Sequence, residues 1–313
     1  MQEELLHIFP LHLRETLQKV TMKENTLEEI RIRIGQPVIF HMENEEWYLK
    51  KETGRLERSQ VNAYCATKED IKSMVKFISS YSLYAYEDEM KRGFITMQGG
   101  HRIGVAGQVV MDGGKGLSLS NIYFLNIRVA REKRGCAKDI IPYLIHRNNI
   151  YNTLFVSPPG IGKTTYLRDA IRILSNGSDR LHGMKISIID ERSEIAACRQ
   201  GIPQNDIGIR SDVLDGCLKS FGMLLMLRSM APQIIAVDEI GSREDCRAME
   251  QAIYSGSRII GTVHAYDMKE LSRKKYLKEM LEQQMFGRIV LLEKAENGRR
   301  RFHIYDENLE KIC

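Results

Sequence analysis

The chain has 313 residues, of which 43% are hydrophobic and 28% are charged, and its formal net charge is +5. This composition is typical of a globular protein with a packed core and excludes an intrinsically disordered chain. Lys and Arg are interspersed with Asp and Glu, and the dense basic groups are short, at residues 273–275 and 299–301. Because nucleic-acid-binding surfaces carry longer basic stripes, no specific nucleic-acid partner is expected.

The six cysteines stand singly, without a Cys-x-x-Cys pair or the spacing of a zinc site. We expect them to be reduced thiols in a cytosolic protein. No run approaches the roughly 18–20 apolar residues of a membrane span, and the first residues lack the pattern of a secretory signal. The sequence therefore predicts a soluble, cytoplasmic protein that would need a partner to bring it to a membrane.

Residues 1–130 predict a small α/β domain. Ile30 and Ile32 alternate with arginines, which indicates a strand with one buried face. Thr67 is placed to cap a helix. Glycines then separate short predicted strands, at residues 94–97, 102–105, 108–111 and 123–129.

Residues 131–148 predict a linker with a connecting helix near residues 140–146, because the segment begins with charged residues and lacks an apolar period. In residues 149–313, apolar strands alternate with helices, which predicts an α/β domain with a parallel sheet and helices on its faces. The predicted strands are residues 153–156, 185–189, 233–237, 258–263 and 288–292.

The strongest motif is a Walker A P-loop between the first of these strands and an amphipathic helix. Gly160 and Gly162 let backbone N–H groups approach phosphates, and the helix N-terminus adds positive dipole character. Lys163 is expected to neutralise the β- and γ-phosphates of ATP, and the Thr164 hydroxyl to bind Mg²⁺. Ser157 replaces the first glycine of GxxxxGK[ST], which the loop tolerates if its φ is not positive. The predicted nucleotide-binding residues of the loop are Ser157, Pro158, Pro159, Gly160, Ile161, Gly162, Lys163, Thr164 and Thr165.

An apolar strand that ends in Asp238 and Glu239 predicts a Walker B element. Asp238 is expected to help bind nucleotide and Mg²⁺, and Glu239 to polarise the attacking water. Taken alone, such an acidic pair often only caps the next helix. Because this pair follows a P-loop, the Walker B interpretation is favoured over helix capping.

Two further strand ends carry candidate catalytic residues. Asp190 and Glu191 end one strand, and Thr262 and His264 end another. Ligands of parallel sheets sit beyond the carboxyl ends of the strands, so these side chains are expected to face the same crevice. A single histidine is usually structural, and His264 becomes a candidate because three other strand ends converge there.

The order of these elements resembles the secretion ATPases of type II and type IV systems and of type IV pili. The resemblance rests on the P-loop, the acid-ended strand, Leu227 and Arg228 before Walker B, and the run 262–265. Within that family, residues 206–216 and 227–232 are similar to a branch that acts in sporulation. The resemblance implies a RecA-like P-loop ATPase core with a smaller N-terminal α/β domain.

The resemblance also implies roles for single residues. Asp190 and Glu191 fall on the paired acids of the family's Asp box, and His264 falls on the histidine that senses the γ-phosphate. Pilus ATPases have a Gly-Glu pair where this chain has Asp238 and Glu239. The choice of the main catalytic base among Glu239, Asp190 and Glu191 therefore stays open.

Family members bring arginines from the N-terminal domain and linker to the nucleotide. The corresponding candidates are Arg102, Arg128 and Arg131, each of which could equally be a solvated surface residue. Arg228 is a candidate for binding nucleotide across a subunit boundary.

The family further implies a homo-hexamer that hydrolyses ATP with Mg²⁺ and acts on a membrane-embedded sporulation or secretion protein. The sporulation branch would work from the cytoplasm, on the mother-cell side of the forespore membrane. A nucleotide-gated assembly scaffold with negligible turnover is the alternative. A nucleic-acid translocase is a third possibility, but the sequence shows no basic groove interleaved with aromatic residues that would support it.

Overall fold

A computed structural model describes residues 3–20, 22, 26–43, 45–78, 93–111, 117–130, 133–147, 149–178, 181–295 and 300–313. The chain divides into two compact units, residues 1–131 and 132–313. Within the described ranges, no helix combines the length and hydropathy that crossing a lipid bilayer requires.

The first unit contains an antiparallel sheet with the strand order β4-β3-β2-β1-β7-β6-β5. The strands are β1 (Leu27–Arg33), β2 (Ile39–Met42), β3 (Glu45–Leu49), β4 (Leu56–Glu57), β5 (Phe94–Thr96), β6 (Arg102–Met111) and β7 (Leu117–Arg128). The helices are α1 (Glu3–Leu6), α2 (Leu11–Gln18) and α3 (Lys68–Ile78). As predicted, Ile30 and Ile32 of β1 are buried while Arg31 is exposed.

Two local predictions in this unit have different outcomes. The cap of α3 is confirmed, since the Asp70 N–H donates to Thr67 Oγ1 at 3.1 Å and the Thr67 N–H donates to Asp70 Oδ2 at 2.8 Å. The separate strands predicted at 102–105 and 108–111 are wrong, because β6 continues through this region with a register shift at Gly107. A Cβ at Gly107 would lie 1.7 Å from the Asn121 carbonyl oxygen, so this glycine permits a bulge inside the strand.

The second unit contains the predicted parallel sheet, with the strand order β12-β11-β13-β14-β10-β15-β16. Every neighbouring pair is parallel except β15 and β16. Its strands are β10 (Thr153–Ser157), β11 (Ile186–Asp190), β12 (Ser211–Asp215), β13 (Ile234–Val237), β14 (Arg258–His264), β15 (Arg288–Lys294) and β16 (Arg300–Tyr305), and β8 (Ile145–His146) pairs separately with β9 (Asn149–Ile150). The helices are α4 (Ile141–Leu144), α5 (Lys163–Asn176), α6 (Lys219–Met230), α7 (Arg243–Tyr254), α8 (Met268–Ser272) and α9 (Lys278–Glu282).

The central strands are apolar on both faces because helices cover the sheet on both sides. Phe155 of β10 packs in one core with Leu167 of α5. Its neighbours Leu154 and Val156 point the other way, into a second core that includes Met249 of α7. Burial on both faces explains the continuous apolar runs that made these strands recognisable in the sequence.

Several elements of this unit differ from the sequence predictions, and the short strands β8 and β9 and the edge strand β16 were not predicted. The connecting helix predicted near residues 140–146 is a single turn, α4, after which the chain enters β8. The sequence analysis also missed β12, an edge strand in which Asp212 is exposed. Edge strands pair on one side only and carry polar side chains, so their sequences lack the long apolar run.

A carboxylate on α5 holds the segment that enters this unit. Asp169 accepts hydrogen bonds from the N–H of Gly135 at 2.9 Å and of Ala137 at 2.8 Å. Arg172, one helical turn further along, donates to the same carboxylate at 2.7 Å. The segment around residue 135 is therefore fixed to α5.

We predict that Gly177→Ala destabilises the protein much more than Gly256→Ala. Both glycines follow a helix and have positive φ, which costs other residues about 1–2 kcal/mol. A Cβ at Gly177 would also lie 2.4 Å from the Leu181 carbonyl oxygen, whereas at Gly256 nothing lies within 4 Å. Overpacking of this kind adds about 1–3 kcal/mol. Urea unfolding of both variants measures the difference, and equal losses would contradict the packing at the end of α5.

Candidate nucleotide-binding site

The loop between β10 and α5 has the backbone that the P-loop motif requires. Gly160 and Gly162 have φ of 79° and 104°, a region that is costly for other residues. Ser157 is fully buried, does not have a positive φ, and donates a hydrogen bond from Oγ to the Pro158 carbonyl oxygen at 2.8 Å. Serine at the first motif position is therefore accommodated without strain. Pro159 lies in the exposed turn of the loop.

Lys163 opens α5 and carries a buried ammonium group. Burial lowers the pKa of Lys163, and the carboxylates of Asp238 and Glu239 act in the opposite direction. Lys163 Nζ lies 2.8 Å from Nδ1 of His264. The first N–H groups of a helix have no partners within the helix and can bind an anion. The junction is therefore suited to an anion.

Asp238 lies between two hydroxyl groups. Thr164 Oγ1 donates to Asp238 Oδ2 at 2.9 Å, and Thr262 Oγ1 donates to Asp238 Oδ1. Thr262 Oγ1 also accepts the Glu239 N–H at 2.8 Å. The Thr262 side chain thus contacts the carboxylate of Asp238 and the backbone of Glu239 at the end of β13.

Glu239 lies at the centre of an ionic network. Its Oε2 accepts a hydrogen bond from Arg192 Nη1 at 2.5 Å, and its Oε1 lies 3.5 Å from His264 Nε2. The His264 ring therefore lies between Lys163 and Glu239. Four strand ends, those of β10, β11, β13 and β14, contribute to this one network.

Asp190 and Glu191 are placed differently from each other. Asp190 is fully buried and accepts backbone N–H groups from Glu194 at 2.7 Å, Ile195 at 3.0 Å and Ala196 at 2.8 Å. Burial raises the pKa of Asp190 to about 6, although these N–H groups lower it. Glu191 forms an ion pair with Lys219 at the start of α6. Asp190 therefore holds the loop after β11, while Glu191 is tied to a helix.

Two of the candidate arginines lie in the first unit. The Arg102 guanidinium lies 4.6 Å from the centre of the Phe94 ring. Arg128 is paired with Arg102 on the adjacent strand β7, and its Nε lies 3.9 Å from Glu29 Oε2. Arg131 lies outside the described residues.

Arg228 is not close to the P-loop within the second unit. It is exposed on the last turn of α6 and lines a cavity together with Gln233 and Ser257. These two residues come just before β13 and β14, so the cavity lies at the amino ends of the strands. The P-loop lies at their carboxyl ends.

An open cleft adjoins the P-loop on the side of β16. Its volume is about 610 Å³, and Gly160 and Ile161 form part of its wall. The Arg300 guanidinium packs so closely on Gly162 that a Cβ there would lie 3.1 Å from Arg300 Cζ. The Cys136 thiol, whose pKa burial raises to about 11, donates to the Thr165 carbonyl oxygen at 3.7 Å. The other lining residues are Lys133, Cys136, Tyr166, Lys294 and Arg300.

The sequence analysis did not assign Arg192, Lys219 or Arg300 to the site. Arg192 directly follows the acid pair at the end of β11, and Arg300 belongs to the basic group at residues 299–301. Adjacency to an acidic motif is a signal that could have identified Arg192. Lys219 and Arg300 are brought close only by the order of the strands.

The strand order and P-loop geometry are those of a RecA-like core, as predicted. The Legionella pneumophila ATPase DotB superposes with a TM-score of 0.55 at 17% identity, covering 94% of this chain and 77% of that chain. The pilus retraction motor PilT with bound ADP superposes with a TM-score of 0.59 at 14% identity, covering 97% and 82%. At such identities the likeness is one of fold.

The chain belongs to the family described as "Sporulation stage III, protein AA", whose sequence model matches residues 1–312. It is 38% identical over 306 residues to Stage III sporulation protein AA of Bacillus subtilis (strain 168). That alignment covers 97% of this chain and 95% of the relative.

We predict that Asp190→Asn lowers the free energy of unfolding by about 1–3 kcal/mol, because an amide cannot accept all three backbone N–H groups and leaves a buried donor unpaired. Asp212→Asn is the matched control, since Asp212 is exposed on the neighbouring strand β12. Urea unfolding at neutral pH compares the two. Equal midpoints for both variants would rule out the structural role of Asp190.

Proposed function

We propose that this chain binds ATP with Mg²⁺ at the loop 157–164 and hydrolyses it as a secretion-type motor ATPase. The observation that carries the proposal is the convergence of Lys163, Asp238, Glu239 and His264 at one edge of the parallel sheet. Phosphoryl transfer needs positioned cations and an oriented water rather than covalent chemistry. At this edge, Lys163 supplies a positioned cation and Glu239 is placed to orient a water molecule.

In the proposed reaction, Lys163 and the N–H groups of the loop bind the β- and γ-phosphates. Thr164 Oγ1 and an Asp238 oxygen, already 2.9 Å apart, would hold Mg²⁺, which neutralises phosphate charge when bound. In the described part of the chain, no group of three or more His, Cys, Asp or Glu is arranged to hold a metal. A hydroxyl and one carboxylate are nevertheless a suitable set for Mg²⁺, because this ion takes further ligands from phosphates and water.

We assign the water-orienting role to Glu239 and the γ-phosphate-sensing role to His264. Glu239 is partly exposed at the phosphate side of the sheet. By contrast, Asp190 is sealed from water by the loop it holds, and Glu191 is neutralised by Lys219. The cleft beside the loop would take the base and ribose, with Arg300 and Tyr166 along its wall.

The proposal extends to a homo-hexamer. Arg102, Arg128 and Arg131 would complete nucleotide sites, and Arg228, at the opposite end of the sheet from its own P-loop, would reach the nucleotide of a neighbouring subunit. The linker near residues 131–135 would carry the domain motion. Likeness of fold to DotB and to a pilus retraction motor supports this arrangement.

Membership of a sporulation family supports a cellular role. The motor would be recruited from the cytoplasm to the mother-cell side of the forespore membrane. Its partner there would be a membrane-embedded protein resembling stage III sporulation protein AB. Hydrolysis would power or assemble a channel-like complex between the two cells.

We predict that Lys163→Ala weakens ATP binding by about 10- to 100-fold, since a charge-assisted hydrogen bond contributes about 1.5–3 kcal/mol. Isothermal titration calorimetry with Mg²⁺ and a non-hydrolysable ATP analogue measures the change. Lys138→Ala, at an exposed site in the same unit, should bind like the unmodified chain. Unchanged affinity in Lys163→Ala would refute the nucleotide site.

We predict that Glu239→Gln lowers phosphate release by about 100-fold or more, because general-base catalysis contributes roughly 10²–10⁴-fold. Binding of the ATP analogue should be retained. Phosphate release by the purified chain and the variant is the measurement. Equal, near-zero release from both, with nucleotide still bound, would favour the alternative function of a nucleotide-gated assembly scaffold.

A further inference from the structure

The proposed catalytic base is held by an arginine of its own chain. Arg192, in the loop after β11, donates from Nη1 to Glu239 Oε2 across the end of the sheet. The second oxygen of the carboxylate faces His264 Nε2. A general base needs a free oxygen to accept a proton from water. With both oxygens engaged, Glu239 has a reduced capacity to do so.

The ion pair is accessible and easily exchanged. The side chain of Arg192 is 64% exposed and that of Glu239 is 34% exposed. Ion pairs with this exposure contribute little to stability, so a stronger anion can take the guanidinium at small cost. The planar guanidinium matches phosphate oxygens with two parallel hydrogen bonds.

Arg192 is linked to the expected position of the terminal phosphate through the side chains of Glu239 and His264. Lys163 Nζ contacts one nitrogen of the His264 ring, and Glu239 faces the other nitrogen. Glu239 in turn binds Arg192. A phosphate bound by Lys163 therefore lies one imidazole ring away from the carboxylate that competes for Arg192.

We propose that Arg192 is a γ-phosphate-binding residue that holds Glu239 until a nucleoside triphosphate takes its place. This inference rests on the proposed ATPase function and adds a control step to it. A triphosphate binds Arg192 and releases Glu239 to orient water, whereas a diphosphate lacks the group that competes. The nucleotide substrate thereby frees the base that activates the attacking water.

The proposal predicts changes in nucleotide affinity that can be measured without hydrolysis. Removing Arg192 should weaken a triphosphate analogue and leave ADP unchanged. Removing the charge of Glu239 should strengthen the triphosphate analogue, because its competitor for Arg192 is lost. That gain should vanish when Arg192 is absent.

The test is a double-mutant cycle on the full chain with Arg192→Ala, Glu239→Gln and the combined variant. The dissociation constants of ADP and of a non-hydrolysable ATP analogue are measured with Mg²⁺. We expect Arg192→Ala to lower the preference for the analogue over ADP by about 10-fold. Glu239→Gln should raise that preference by about 2- to 5-fold when Arg192 is present and leave it unchanged in Arg192→Ala.

Three controls separate this role from a structural one. Arg247→Ala, at an exposed arginine on α7, should leave the preference unchanged. Arg192→Lys should restore part of it, because lysine keeps the charge but not the planar fork. Arg192→Ala should unfold at the same urea concentration as the unmodified chain. A loss of stability instead, together with equal losses for both nucleotides, would overturn the proposal.

The outcomes also distinguish this inference from the proposed function. If the unmodified chain binds both nucleotides and Lys163→Ala does not, but Glu239→Gln has the same effect with and without Arg192, only the role of Arg192 is refuted. If the unmodified chain binds neither nucleotide, the ATPase proposal fails and the inference fails with it.

Discussion

A buried ammonium group at the junction of β10 and α5 is the constraint that organises the second unit. Removing a cation from water is costly, and the pKa of Lys163 is lowered for that reason. The cost is offset where negative charge lies close by. Asp238 and Glu239 supply part of that charge, and a bound phosphate would supply more. The lowered pKa of Lys163 indicates that these carboxylates only partly offset the effect of burial.

The order of the strands brings the compensating groups into place. β14 lies between β13 and β10, and its last residue, His264, is paired in register with Ser157 at the start of the P-loop. On its other side, Thr262 contacts the two acids that follow β13. The strand β14 therefore contacts both of its neighbours near the site. His264 contacts Lys163 after β10, and Thr262, two residues earlier, contacts the acids after β13.

Much of this arrangement was predictable from the sequence. The glycines of the P-loop, the apolar runs of β10, β11 and β13, and the acids that end two of them carry strong local signals. These signals depend on covalent spacing and burial on both faces, which a sequence records directly. The parallel sheet and the convergence of its strand ends followed from them, whereas the RecA-like core was implied by the family resemblance.

Other features depended on contacts that spacing does not record. Asp190 and Glu239 look alike in the sequence, since each ends an apolar strand next to another charged residue. In the fold, Asp190 turns toward backbone N–H groups of its own loop, whereas Glu239 turns toward Arg192 and His264. The edge strand β12 and the bulge at Gly107 were missed because neither has an apolar pattern that marks it.

The contacts of Asp169 have a mechanical consequence. This carboxylate joins helix α5, which begins at Lys163, to the backbone at residues 135 and 137, a few positions after the chain enters the unit. Two backbone hydrogen bonds to a buried charge make a stiff joint. Any tilt of α5 would therefore move the backbone at residues 135 and 137 with the helix.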